Sequence, residues 1–149
     1  MRVLILLLVL AGLTFPASAQ DQATQLAKTS ARITKALNLY AQAAESIRSQ
    51  MTAQQKMGTA LFFAAAMALE DNSLSLSGFC QLQQLSKSPT ATKQRIVVPL
   101  VQQYRTSNSQ QVANLSLALP LLPPSLAQQA NLVMIAVTNA AAVIDKGCQ

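Results

Sequence analysis

Few side chains in this sequence can carry acid–base, nucleophilic or metal chemistry. The chain has 149 residues and contains no histidine, the side chain that most often acts as a general base and most often binds zinc. Without histidine, neither a Ser-His nor a Cys-His pair can activate a nucleophile. We therefore predict that the protein is not an enzyme and that it holds no metal or cofactor.

The acidic residues do not form a catalytic or calcium-binding pattern. Glu70 and Asp71 are adjacent, so in a helix their carboxylates would point about 100° apart, whereas a glycosidase holds its two carboxylates across one cleft. Oxygen-bearing side chains follow one another at 70–73, but without the spacing of a calcium-binding loop. The four glycines are isolated, which excludes a glycine-rich phosphate loop.

The first nineteen residues have the pattern of a secretory signal peptide. Arg2 precedes an apolar core at 3–13, and the small residues Ala17 and Ala19 come just before the predicted cleavage site. An N-terminal membrane anchor is the alternative, but the apolar run is short and no stop-transfer charges follow it. We expect 1–19 to be removed and the exported protein, periplasmic or secreted, to comprise 20–149.

The two cysteines, Cys80 and Cys148, suit a structural disulfide. A redox-active pair has close spacing such as Cys-x-x-Cys, which is absent here. An even pair of cysteines in an exported chain predicts one disulfide instead. It would join the middle of the chain to its last-but-one residue.

The rest of the chain predicts an all-α fold, a single-domain bundle of about four to five helices. No glycine or proline lies between 21 and 57. Apolar residues there recur in a heptad-like seam, namely Leu26, Ile33, Leu37, Tyr40, Ala44, Ile47 and Met51. One helix is therefore predicted over 21–50, with a turn in the polar segment 50–55.

An uncharged run at 57–69 forms the apolar centre of the sequence. As a helix it would rise about 20 Å, too little to cross a bilayer core of ~30 Å, so we predict a buried core helix. The alternative is that its large side chains line a ligand cavity, and these are Met57, Phe62, Phe63 and Met67. Turn-forming residues predict that the helix ends at 70–78, with a short helix at 79–85 after it.

Prolines divide the C-terminal part of the predicted bundle. After a break at 86–90, Pro99 lies within an amphipathic stretch, so this helix must kink there or begin close to it. We expect a loop at 106–111, then a short helix and a rigid apolar connector at 119–124. A last helix is predicted at 125–146.

The predicted last helix has a regular apolar seam, made of Leu126, Ala130, Val133, Val137, Ala140 and Ile144. Because 126–144 carries no charge, a membrane span is the alternative. The amides of Gln128, Gln129 and Asn131 would need partners in hydrocarbon, so we predict a buried bundle helix and no transmembrane span after processing.

The charge balance is basic, with a formal net charge of +6. Lys28, Arg32 and Lys35 fall at i, i+4 and i+7, on one side of the predicted first helix. They could meet an anionic lipid surface, although such a trio is ordinarily the solvated side of an amphipathic helix. The basic residues are scattered and the chain has no Trp and only two Tyr, so we expect no nucleic-acid partner.

These features favour a binding protein over an enzyme. The first hypothesis is a small exported helical protein that binds another protein, as an envelope assembly component, an inhibitor or an immunity-type protein against a toxin. It is motivated by an amide-rich exterior of low charge and by the apolar connector at 119–124. The alternative is a carrier of an apolar ligand, such as a lipid or fatty acid, in a cavity between helices.

Overall fold

The computed structural model describes residues 17–85, 95–96, 98–146 and 148, without the side chains of 17–20 and 82–85. Its four α-helices are α1 (Ala17–Ile47), α2 (Ala53–Leu85), α3 (Val98–Ala118) and α4 (Ala127–Ile144). The described residues include no strand, and the predicted all-α bundle is confirmed. Most of the predicted signal peptide and the predicted break at 86–90 lie outside the described residues.

The helices pack side by side, with α1 against α2 and α4, and α2 also against α3. Two contacts show how α1 and α2 run. The Ser77 hydroxyl donates to the Ala23 carbonyl at 2.8 Å, and the rings of Tyr40 and Phe62 lie 5.0 Å apart between centroids. The later residue of α1, Tyr40, contacts the earlier residue of α2, Phe62. The two helices are therefore antiparallel.

The predicted helix over 21–50 and the turn after it are confirmed. α1 is followed by a single 3-10 turn and by Met51 in extended conformation. α2 then begins with a capping box, in which the Thr52 hydroxyl accepts from the Gln55 amide at 3.2 Å and the Gln55 side-chain oxygen accepts from the Thr52 amide at 2.9 Å. This reciprocal pair fixes the tight turn between the two helices.

The predicted end of the central helix at 70–78 is wrong, and so is the separate short helix at 79–85, because α2 is unbroken over both segments. Asp, Asn and Ser favour turns when their side chains bond to nearby backbone. In α2 two of these side chains, Asn72 and Ser77, find partners on other helices instead. The Asn72 amide donates to the Ser107 hydroxyl of α3 at 3.0 Å, and Ser77 donates to α1. These tertiary hydrogen bonds outweigh the local turn preference.

The predicted loop at 106–111 is also wrong, because α3 is helical throughout. The hydroxyls of Thr106 and Ser109 donate to carbonyls one turn earlier, which satisfies them within the helix. Of the two alternatives for Pro99, the structure shows the second. The regular helix begins at Val98, so the proline lies in the first turn, where its missing amide costs no hydrogen bond.

The predicted apolar connector at 119–124 is present as two 3-10 turns, Leu119–Leu121 and Pro124–Leu126. Leu122 is extended between them, with ψ near 148°, and Pro123 is buried. A proline lies in the first turn of each 3-10 segment and restricts φ there. The connector therefore reverses the chain between α3 and α4 with little conformational freedom.

α4 corresponds to the predicted last helix, and every residue of its predicted seam is buried. By length and composition alone, the stretch Pro124–Ile144 is also the one helix among the described residues that could cross a membrane, with a mean hydropathy of 1.3 and 33% of its window buried. The core helix of a soluble bundle passes the same test. The predicted absence of a membrane span therefore stays a prediction.

Two apolar cores lie one after the other along the bundle. The larger one, on the side of the α1–α2 turn, includes Tyr40, Phe62 and Leu115. The smaller one includes Leu26 and Ile144 together with the disulfide. Between them the helices contribute buried polar side chains, which are Thr29, Ser30, Ser73 and Asn108.

The predicted disulfide between Cys80 and Cys148 is confirmed, with the two Cα atoms 5.3 Å apart. Cys80 is 1% exposed and belongs to the smaller core, whereas Cys148 follows α4 and is half-buried. The bond therefore attaches the end of the chain to α2.

We expect replacement by alanine to change the free energy of unfolding in opposite directions at the two glycines of α2. A Cβ at Gly58 would overlap the Cβ of Leu121 and lie 3.1 Å from its carbonyl oxygen, so Gly58→Ala should lower the free energy of unfolding by ~1–3 kcal/mol through overpacking. A Cβ at Gly78 meets no atom of the described residues within 4 Å, so Gly78→Ala should raise the free energy of unfolding by ~0.5–1 kcal/mol. Urea unfolding of the two variants measures both effects. Equal responses would contradict the close approach of α2 to the connector.

Candidate functional site

The structure does not bring the residues of the predicted cavity wall together. Phe62 is fully buried, Phe63 is half-buried, and Met57 and Met67 are 55% and 42% exposed. Successive residues of a helix turn by about 100°, so an unbroken apolar run points in every direction around the helix. The predicted common wall is therefore wrong, and Phe62 alone of the four lies fully inside the core.

The outer side of α2 is a continuous apolar surface, which we call the α2 face. It consists of Met57, Ala60, Leu61, Ala64, Met67 and Leu74, all exposed. In helix geometry these positions fall within an arc of about 140° and extend about 25 Å along the axis. Leu61 and Leu74 are each more than half exposed. Asp71 is exposed within this arc between Met67 and Leu74, so the uninterrupted apolar part of the face extends from Met57 to Met67.

Ile96, Val98 and Pro99 form a second group of exposed apolar side chains around the start of α3, whereas those on the rest of α3 and on α4 are interrupted by polar neighbours. Leu117 of α3 is 72% exposed, but it follows the exposed Ser116. Leu132 and Ile135 share the outer side of α4 with exposed amides, including that of Gln128. Single exposed apolar residues of this kind are normal on soluble proteins. The α2 face differs from them in its continuity.

A groove opens where α1 and α2 meet at their connecting turn, and we call it the turn groove. Its volume is about 430 Å³, which is within the range of small-molecule sites. It is lined by Tyr40, Ala41, Ala44, Glu45, Arg48, Met51, Lys56, Thr59, Ala60 and Phe63. The capping box at the start of α2 holds its two walls at a fixed separation. Phe63 is thus the member of the predicted wall that does line a cavity.

Tyr40 lines the turn groove. Its hydroxyl is buried and has no hydrogen-bond partner among the described residues. Burial raises the pKa of the Tyr40 phenol to about 12, and the neighbouring Thr59 hydroxyl offsets part of that rise. The phenol therefore stays protonated and remains a donor. Thr59 itself donates to the sulfur of Met51 at 3.8 Å, and a thioether is a weak acceptor. Both hydroxyls are thus poorly satisfied.

Charged side chains stand around the mouth of the turn groove. Arg48 and Glu45 form an ion pair at 3.4 Å, with about 70% of each side chain exposed. A pair this exposed contributes only ~0–1 kcal/mol, so either partner can reorient toward a ligand. Lys56 is exposed on the opposite wall and forms no salt bridge with a described acidic residue.

The predicted basic surface is separate from this groove. Lys28, Arg32 and Lys35 are all exposed on α1, and none of them lines the turn groove. Within the part of the chain that the structure describes, they form no salt bridge. Their contact with anionic lipid stays a prediction.

A second groove of about 460 Å³ lies between the connector and α4. Its lining within the described part of the chain is mainly apolar, with Leu122, Pro124 and Met134 among the residues, and includes no charged side chain. Since it offers few groups that could orient a ligand, the turn groove is the better candidate for recognising a small molecule.

No metal site can be assigned within the described residues, since no three His, Cys, Asp or Glu side chains come together there. Comparison with protein-family models, curated proteins and solved structures gave no match. The functional argument therefore rests on the α2 face and the turn groove.

Proposed function

We propose that this is a small exported helical protein that acts by binding another protein, with the α2 face as its docking surface. The observation that carries the proposal is the continuity of that face, since no described element of the chain covers it. A large contiguous apolar patch is uncommon on a monomeric protein and marks interaction sites. The exposed side chains at its centre, Leu61 and Met67, are the residues from which a partner would exclude water.

The chemistry of the α2 face favours an apolar helix as the contacting element of the partner. Met57, Leu61 and Ala64 repeat at i, i+4 and i+7, the spacing at which two helices interdigitate. The small side chains of Ala60 and Ala64 allow a partner backbone to approach closely, and the methionines adapt to its shape. The scarcity of charge disfavours a strongly acidic or basic partner.

The disulfide supports the exported location, periplasmic or secreted, because such bonds persist in oxidising compartments. A surface that is ordered before binding loses less conformational entropy when a partner docks on it. The capped turn before α2 and the disulfide near its end hold that helix at both ends.

Site-specific crosslinking tests this proposal. A photoreactive residue in place of Leu61 should capture one defined protein from extracts of the source organism. Leu61→Glu should then weaken binding of that purified protein by at least about tenfold, because the carboxylate would be buried without a partner in the complex. Leu61 is 51% exposed in the free protein, so we expect the thermal unfolding midpoint to stay unchanged.

Leu117 supplies the matched control, since it is 72% exposed on another helix. Leu117→Glu should leave the affinity for the captured protein unchanged. Equal loss from both variants would show non-specific adhesion and contradict the proposal. Capture of a second copy of this chain alone, with a dimer in sedimentation equilibrium, would overturn the assignment to a different protein.

A further inference from the structure

The turn groove combines an apolar lining, the unsatisfied Tyr40 hydroxyl, the Thr59 hydroxyl bonded only to a thioether, and cationic side chains in one place. We infer that it binds a small amphipathic anion, a medium-chain carboxylate, with the hydrocarbon along the groove and the carboxylate near Tyr40 and Thr59. This binding function is independent of the α2 face and would remain if that face had another role.

The apolar lining accounts for the hydrocarbon part of the ligand. Met51, Phe63 and the alanines of both helices are the apolar residues that line the groove. The groove volume of about 430 Å³ accommodates a chain of medium length. Small alanine side chains, such as Ala44, are what leave this space open between the helices.

The hydroxyl donors in the groove are the reason to expect a hydrogen-bond acceptor on the ligand. A buried donor without an acceptor is costly, and the Tyr40 hydroxyl is in that state. Thr59 donates to a thioether that could be exchanged for a stronger acceptor by rotation of the flexible Met51 side chain. A carboxylate offers two acceptor oxygens and can accept from both hydroxyls at once.

The charges at the mouth of the groove are the reason to expect an anionic ligand. Lys56 and Arg48 are cationic and Glu45 is anionic, so the three residues carry a net charge of +1. Glu45 is offset by its weak ion pair with Arg48, and Lys56 forms no salt bridge with a described acidic residue, so the mouth is positive overall. Charge-assisted hydrogen bonds to an anion are stronger than neutral ones, so an anion is favoured over an alcohol or a cation of the same length.

Titration of the folded, disulfide-bonded protein with decanoate, decanol and decyltrimethylammonium tests the inference. In amide NMR spectra, decanoate should shift the signals of Tyr40, Thr59 and Phe63 saturably, and decanol should bind about tenfold more weakly. The cationic probe should not bind there. Equal affinity for all three probes, or decanoate shifts centred on the α2 face, would overturn the inference.

Two matched pairs of variants test whether Tyr40 and Lys56 bind the decanoate. Tyr40→Phe should weaken decanoate binding about five- to tenfold, because one hydrogen bond to a charged acceptor is lost, and Tyr104→Phe outside the groove should not. Lys56→Gln should weaken it severalfold and reduce its salt dependence, whereas Lys28→Gln should not. Lys56 is exposed, so this second pair remains informative even if Tyr40→Phe fails to fold. Unchanged affinity in Lys56→Gln would show that the anion is not recognised at this groove.

Discussion

Replacing Phe62 by alanine should lower the free energy of unfolding by about 3–5 kcal/mol. Phe62 is 0% exposed in the larger core and its ring packs against that of Tyr40 at 5.0 Å. The substitution removes the buried ring and leaves a cavity that neighbouring side chains fill only in part. Small domains have total stabilities of about 5–15 kcal/mol, so the loss is a large fraction of the whole. Urea unfolding followed by circular dichroism measures it.

Phe63→Ala is the matched control, since the neighbouring ring is half-buried and lines the turn groove instead of filling the core. We expect it to cost clearly less than Phe62→Ala. If Phe62→Ala does not fold, Phe62→Leu can replace it, since leucine retains most of the apolar volume. Phe62→Leu should then lower the free energy of unfolding more than Phe63→Leu. A larger loss at Phe63 than at Phe62 would contradict the orientation of α2.

Removing the disulfide should lower the free energy of unfolding by about 2–4 kcal/mol. The bond closes a segment of 68 residues, so in the chain-entropy model it restricts the unfolded state strongly. Cys148→Ala is the suitable variant because Cys148 is half-buried after α4, whereas Cys80 is 1% exposed in the smaller core. The remaining Cys80 thiol then packs as a small apolar group.

Reduction of the wild-type protein should reproduce the loss seen in Cys148→Ala, and reductant should have no effect on the variant. Thermal unfolding with and without reductant measures both. Titration of thiols in the denatured, unreduced protein should find none free, as the structure pairs both cysteines. Two free thiols, or equal stability with and without reductant, would contradict a stabilising disulfide.

The polar side chains between the two cores are a further consequence of the helix register. In α3, Val101, Asn108 and Leu115 are buried at intervals of seven residues, so an asparagine occupies a core position of a heptad. A polar residue at one such position fixes register at some cost in stability. Ser73 of α2 is also fully buried, and its hydroxyl has no partner among the described residues. This polar layer favours one alignment of the helices over its shifted alternatives.

The fold class, the seams of α1 and α4 and the pairing of the cysteines could all be predicted from the amino-acid sequence. Each of these follows from a rule that acts within the chain. Apolar residues at spacings of three and four bury one side of a helix, and two cysteines in an oxidising compartment have one possible pairing. The six predicted seam residues of the last helix are all buried, five of them in α4 and Leu126 in the 3-10 turn before it, because no polar group interrupts the pattern.

The α2 face and the turn groove could not be predicted, because the sequence does not show which side of a helix its neighbours will cover. A run apolar on every side does not show which side the other helices will cover, so Met57 and Phe62 are indistinguishable until the neighbours of α2 are known. The turn groove likewise joins residues of two helices, Tyr40 and Thr59 among them, whose proximity is set by the antiparallel packing.

Tertiary structure also decided the lengths of α2 and α3. Their polar segments at 70–78 and 106–111 have the composition of turns, yet both are helical. Local preference amounts to tenths of a kcal/mol per residue. Hydrogen bonds from Asn72 and Ser77 to other helices are worth about 1 kcal/mol each, and the burial of Leu76 adds to them. Contacts between helices therefore outweighed what each segment prefers alone, and only the assembled bundle supplies those contacts.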